Sequence, residues 1–132
     1  QKMRAVMAQH KPPKGALDVK LLPGGLVDAE FAIHSQQLRH GVALRPELDL
    51  ALTDLIAARL APAEVADAFA LLSRLLVTMR LMAPDAEVPK DGESRARIAT
   101  ACRAGDWDDL MQQFADARTA ISQWWRAVQQ QG

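Results

Sequence analysis

Tyrosine is absent, cysteine occurs once, and the aromatic complement is three Trp and three Phe. A single thiol, Cys102, excludes a disulfide framework and points to a reducing compartment. Sparse aromatics leave little on which to stack nucleobases, and a formal net charge of zero gives no overall field to draw nucleic acid or a membrane surface. No apolar run approaches a membrane span, and no signal peptide opens the chain. The three histidines, His10, His34 and His40, form no H-x₃-H pair, and no second Cys or Glu completes a metal pattern. Neither a metal site nor a catalytic residue is therefore expected within the chain.

What is abundant is Ala and Leu, with few β-branched residues after Ile33, the composition of a helical protein. The length suits one domain over residues 1–132, with a candidate subdivision at the polar, proline-containing loop 84–92. The expected fold is all-α, a bundle of about five to six helices. A first helix ends near His10, before Pro12 and Pro13. A second begins at Leu26 and stops at His40, with Gly41 just beyond its end. A third follows Pro46, and Pro62 opens a fourth that is apolar almost all round, as suits the middle of a bundle. The fifth ends before Gly105. The last is capped by Asp106, with Asp109 three residues on. The chain opens on Gln1, and residues 2–8 read as the end of a helix begun earlier, so a fragment of a longer polypeptide is expected.

The most informative stretch is residues 17–31, LDVKLLPGGLVDAEF. Residues 17–22 alternate apolar and charged side chains, as in a short extended segment. Pro23, Gly24 and Gly25 break it, and helical spacing takes over. Asp28 and Glu30 fall in or near the first helical turn, where carboxylates suit the positive end of the helix dipole. Two readings stand side by side. The glycine turn either presents free backbone N–H groups to a phosphate, with Lys20 as a nearby charge, or simply joins two elements. A third has Asp28 or Glu30 facing a cation. Positive charge gathers here too: six Lys/Arg against three Asp/Glu precede Val42.

The ordered run Asp18, Lys20, Gly24, Gly25, Asp28, Glu30 and Phe31 resembles the motif of the bacterial bifunctional glutamine synthetase adenylyltransferase/adenylyl-removing enzymes. The upstream KPPKG and the downstream Gln37, Leu38, Arg39 and His40 share the resemblance. Ala29 stands where relatives usually have Ile. The resemblance implies a cytoplasmic enzyme of two similar halves, each a nucleotidyltransferase domain followed by a helical region. It implies that this chain is the helical region after the second, adenylylating domain. Lys20, Gly24, Gly25, Asp28 and Glu30 become the candidates for proximity to nucleotide or phosphate. ATP and Mg²⁺ are cofactors of the parent enzyme, with none expected inside this chain. The implied partners are the upstream nucleotidyltransferase domain, glutamine synthetase and the PII signalling protein. Relatives carry a polar run where this chain has Leu76 and Val77, so nothing is carried over there. Asp106, Trp107 and Asp108 match the D-x-D spacing of metal-binding nucleotidyltransferases, but they open an amphipathic helix and read as its cap. An alternative of another class is a free-standing helical protein-interaction module.

Overall fold

The computed structural model describes residues 12–131, and within them the chain forms five helices and no strand. They are α1 (Leu26–His40), α2 (Leu48–Ala57), α3 (Glu64–Met82), α4 (Gly92–Ala101) and α5 (Trp107–Gln130). The helix expected to end near His10 lies outside the described residues. No helix among those described is long and apolar enough to cross a membrane.

Punctuation residues place most helix ends. The first, α1, stops where Gly41 turns left-handed at φ 65° and donates its N–H to the Gln37 carbonyl. Asp106 caps α5 by accepting the Asp109 N–H at 2.7 Å, while the Asp109 carboxylate accepts the Gly105 N–H at 2.8 Å. This is a reciprocal cap built from two aspartates. Asp91 caps α4 through the Ser94 N–H at 2.9 Å, and that bond lowers the pKa of its carboxyl. Two ends use no glycine, although Gly105 was expected to close the fifth helix. Arg59 and Arg103 take left-handed conformations after α2 and α4, both at φ 62°. Each is held by the bond of the next residue back into its helix, Leu60 N–H to Leu55 O and Ala104 N–H to Ala99 O.

The long helices α3 and α5 form the central pair; α1 packs on α5, and α4 closes against α3. Buried side chains of all five helices join one core cluster. Two expectations change at this level. The fourth expected helix, α3, is not enclosed: Val65, Leu72 and Leu75 are fully buried, but Val77 and Leu81 are 57% and 81% exposed. Apolar composition all round did not translate into burial all round, because no described element covers that side of its last two turns. Conversely, two adjacent Trp on a helix are expected not to face one core together, yet Trp124 and Trp125 are both buried. Trp124 donates its indole N–H to the Leu60 carbonyl at 3.2 Å. Trp125 meets the Phe31 ring at 5.9 Å between centroids. Large rings span more than one face of a helix, and α5 is covered by α3 on one side and α1 on the other.

Cys102 is buried at the end of α4. Burial pushes its thiol above the usual range, against smaller opposing effects of the Thr78 hydroxyl and the Arg74 guanidinium. In the folded protein at pH 7–8 the group stays protonated, so a thiol reagent such as DTNB should modify it more than about tenfold more slowly than in denaturant. Rapid native-state modification would contradict its burial. Leu72→Ala should cost about 2–5 kcal/mol in urea unfolding, and Leu81→Ala less than about 0.5 kcal/mol.

Candidate functional site

Residues 17–22 are not an extended segment but a succession of turns. A strand needs a neighbour to pair its backbone, and none is present among the described residues. The Asp18 carboxylate takes that role instead. Its Oδ2 accepts the Lys14 N–H at 2.8 Å, and its Oδ1 accepts those of Lys20 and Leu21 at 3.2 and 3.1 Å. The Leu22 N–H closes onto the Asp18 carbonyl at 3.1 Å. Alternation does not survive in side-chain placement: Leu17, Asp18 and Val19 are all buried, and Lys20 is exposed. Aspartate is well suited to such a turn because its short side chain reaches backbone N–H groups a few residues on. That signal was present in the sequence but was not singled out for Asp18.

The glycine pair continues the knot. Gly24 turns left-handed at φ 76°, and a Cβ there would overlap the Arg118 carbonyl oxygen on α5. Gly25 precedes α1, and a Cβ there would overlap the Val19 carbonyl oxygen. Both glycines are therefore required by close approach within the domain. The N–H groups of four consecutive residues are engaged. Gly24 donates to Asp28 Oδ2 at 2.7 Å, Gly25 to Leu22 O at 2.8 Å, Leu26 to Val19 O at 2.8 Å and Val27 to Lys20 O at 3.1 Å. The expectation of free N–H groups facing a phosphate thus meets a turn whose donors are already used. On the outer side, Arg118 Nε donates to the Pro23 carbonyl at 2.9 Å, which ties the turn to α5.

The sequence candidates separate accordingly. Gly24, Gly25 and Asp28 are buried together in the knot, and Asp28 is 4% exposed. Glu30 lies half-buried on α1, its carboxylate 3.9 Å from His34 Nε2. His34 is exposed, and its Nδ1 lies 3.0 Å from Gln37 Oε1. Lys20, by contrast, lies on a recess. It lines a cavity of about 270 Å³ between residues 14–21 and the C-terminal end of α3. Leu17, Val19, Val27, Leu76 and Met79 form its apolar part, and Lys14, Lys20 and Arg80 are its cations. None of the three pairs with a carboxylate among the described residues. Lys14 and Lys20 belong to the positive charge expected around the motif, whereas Arg80 was not expected beside them, since no local pattern joins it to positions some sixty residues away.

Gly24 and Gly41 provide a matched comparison. Both are left-handed, but nothing lies within 4 Å of a Cβ placed at Gly41. Gly41→Ala should cost only the conformational penalty, about 1–2 kcal/mol. Gly24→Ala should cost clearly more, because α5 must also move. Asp18→Ala should cost about 1–3 kcal/mol by leaving backbone donors without their acceptor. Chemical denaturation of the three variants checks the order, and equal costs at the two glycines would remove the close contact with α5.

A family model described as GlnD PII-uridylyltransferase matches residues 1–128. The chain is 34% identical over 127 residues to a bifunctional glutamine synthetase adenylyltransferase/adenylyl-removing enzyme of Rhizobium meliloti (strain 1021), covering 89% of this chain and 13% of that protein. It is 48% identical over 82 residues to the protein of the same name from Caulobacter vibrioides (strain ATCC 19089 / CIP 103742 / CB 15), covering 60% of this chain and 8% of that one. No solved structure matches the chain. The chain thus spans only a small part of the curated relatives it matches, and those relatives carry the name that the motif suggested. With all but its last four residues matched by the family model, this chain belongs to the GlnD PII-uridylyltransferase family.

Proposed function

We propose that this chain is the helical region following the second nucleotidyltransferase domain of a cytoplasmic enzyme that adenylylates glutamine synthetase from ATP and also removes the AMP. Its role is to support the adenylylating half. The observation that carries this reading is the similarity to the two adenylyltransferases over the segment that contains the motif. The name of the matching family model supports contact with the PII protein as a further partner.

The chain's own residues suit support rather than chemistry. Transfer of a nucleotidyl group needs positioned metal ions and clamps on the phosphates. Among the described residues no group of three or more His, Cys, Asp or Glu is placed to hold a metal ion. The Asp18 and Asp28 carboxylates bind backbone N–H groups, and Asp106 and Asp109 cap α5. These residues do not fit a Mg²⁺ site, so Mg²⁺ and ATP are assigned in this proposal to the upstream domain. The rigid turn at residues 18–25 fixes where Lys20 stands. A cation on a backbone so tied down can meet phosphate or carboxylate groups presented by a neighbouring domain, and small misplacements near a reacting centre are costly. Gly24, Gly25 and Asp28 then act through the backbone they hold. Glu30 lies two residues beyond Asp28 on α1.

The test uses labelled ATP, Mg²⁺ and glutamine synthetase. The 132-residue chain alone should leave the synthetase unlabelled, and the full-length parent should label it. Lys20→Ala in the parent should lower kcat/KM by about tenfold, with the unfolding midpoint of the isolated chain unchanged. Gly25→Val should lower both, because its collision lies inside the domain. Full activity in the Lys20→Ala parent would remove Lys20 from the supporting role.

A further inference from the structure

The cavity beside the motif has a composition that narrows its occupant. Its walls are aliphatic and carry no aromatic ring, so a nucleobase finds no stacking platform there. The one acid on its lining, Asp18, has its carboxylate turned onto three backbone N–H groups. What remains is an apolar recess of about 270 Å³ bordered by three cations without carboxylate partners among the described residues. Its complement is an aliphatic group beside negative charge. Val77 and Leu81, sequence neighbours of the lining residues Leu76 and Arg80, lie one helical turn apart on α3 and are 57% and 81% exposed. A small acid would leave that surface uncovered, whereas a peptide segment would cover it.

We propose that this recess docks an acidic polypeptide segment, with one large aliphatic side chain in the cavity and Asp or Glu residues against Lys14, Lys20 and Arg80. The segment belongs to the longer polypeptide, outside these 132 residues; this source rests on the functional reading above. The chain spans 13% and 8% of the two relatives, so most of such a protein lies elsewhere. Residues 1–11 are a poor occupant on charge, since they carry Lys2, Arg4 and Lys11 and no acid. A recess near Arg74 and Arg103 has Glu64, Asp67 and Asp116 on its own walls, and one between Arg118 and Arg126 has no acid but only Pro23 and Ala115 as apolar lining, so neither matches an aliphatic group beside negative charge as well.

Short overlapping peptides tiling the rest of the parent sequence are immobilised and probed with the 132-residue chain. The peptides that bind should combine Asp or Glu with Leu, Ile, Val, Met or Phe. Their binding should weaken with added salt and fall at least about tenfold for the double variant Lys20→Glu/Arg80→Glu. Both positions are exposed, so circular dichroism should show that variant folded. A photoreactive residue introduced at Leu81 of the full-length protein should crosslink to the same segment. The proposal is overturned if no tile binds or if charge reversal leaves binding unchanged. It is equally overturned if Leu81 crosslinks only to a second copy or to another protein, or if the chain binds only vesicles of anionic lipid. A parent that labels glutamine synthetase while no tile binds would end this proposal and leave the functional reading standing. Binding tiles from a parent that labels nothing would do the reverse.

Discussion

The carboxylate of Asp18, holding the N–H groups of Lys14, Lys20 and Leu21, is the interaction on which the motif side of the molecule depends. A chain segment with no strand to pair with must satisfy its backbone locally or leave it to water. One ionised side chain with two oxygens satisfies three donors, and charge-assisted bonds of this kind are stronger than neutral ones. The turn that results carries Leu17 and Val19 into the core and directs the Val19 and Lys20 carbonyls at the first N–H groups of α1. The helix thus starts on acceptors supplied by the chain before it, without a side-chain cap. Asp28 returns the favour by accepting the Gly24 N–H, so the turn and the helix brace each other.

That local knot is seated on the long helix α5. The Arg118 backbone carbonyl approaches Gly24 too closely for any side chain, and the Arg118 side chain reaches back to the Pro23 carbonyl. The central pair α3 and α5 is therefore both the core of the domain and the support on which the motif rests. Arg95 stacking over Trp107, at 5.6 Å to the ring centroid, adds a tie between α4 and the start of α5. The 84–92 loop is also engaged, since the Leu17 N–H donates to the Ala86 carbonyl at 2.8 Å.

The charge balance of the whole chain conceals this arrangement. Equal numbers of acids and bases cancel in the total. Most of the acids are spent on caps, turns and short-range pairs, such as Glu93 with Arg97 and Asp54 with Arg45. Lys14, Lys20 and Arg80 are left together on an apolar recess. A neutral protein can in this way present a locally basic surface.

The sequence alone determined those features that depend on neighbours a few residues away. The bounds of α1 follow from a glycine before Leu26 and Gly41 after His40; the cap of α5 follows from Asp106 and Asp109; the family follows from an ordered run of seven residues. Local hydrogen bonds and backbone restrictions govern each of these, and both can be read from short spacing. Tertiary structure decided the rest. It turned residues 17–22 into a knot because no partner strand is present among the described residues, and it buried both Trp124 and Trp125 because α5 is covered on two sides. It consumed the N–H groups of residues 24–27, and it placed Arg80 beside Lys14 and Lys20. Those outcomes depend on which surfaces meet across the bundle, and periodicity along one helix carries no information about what lies opposite.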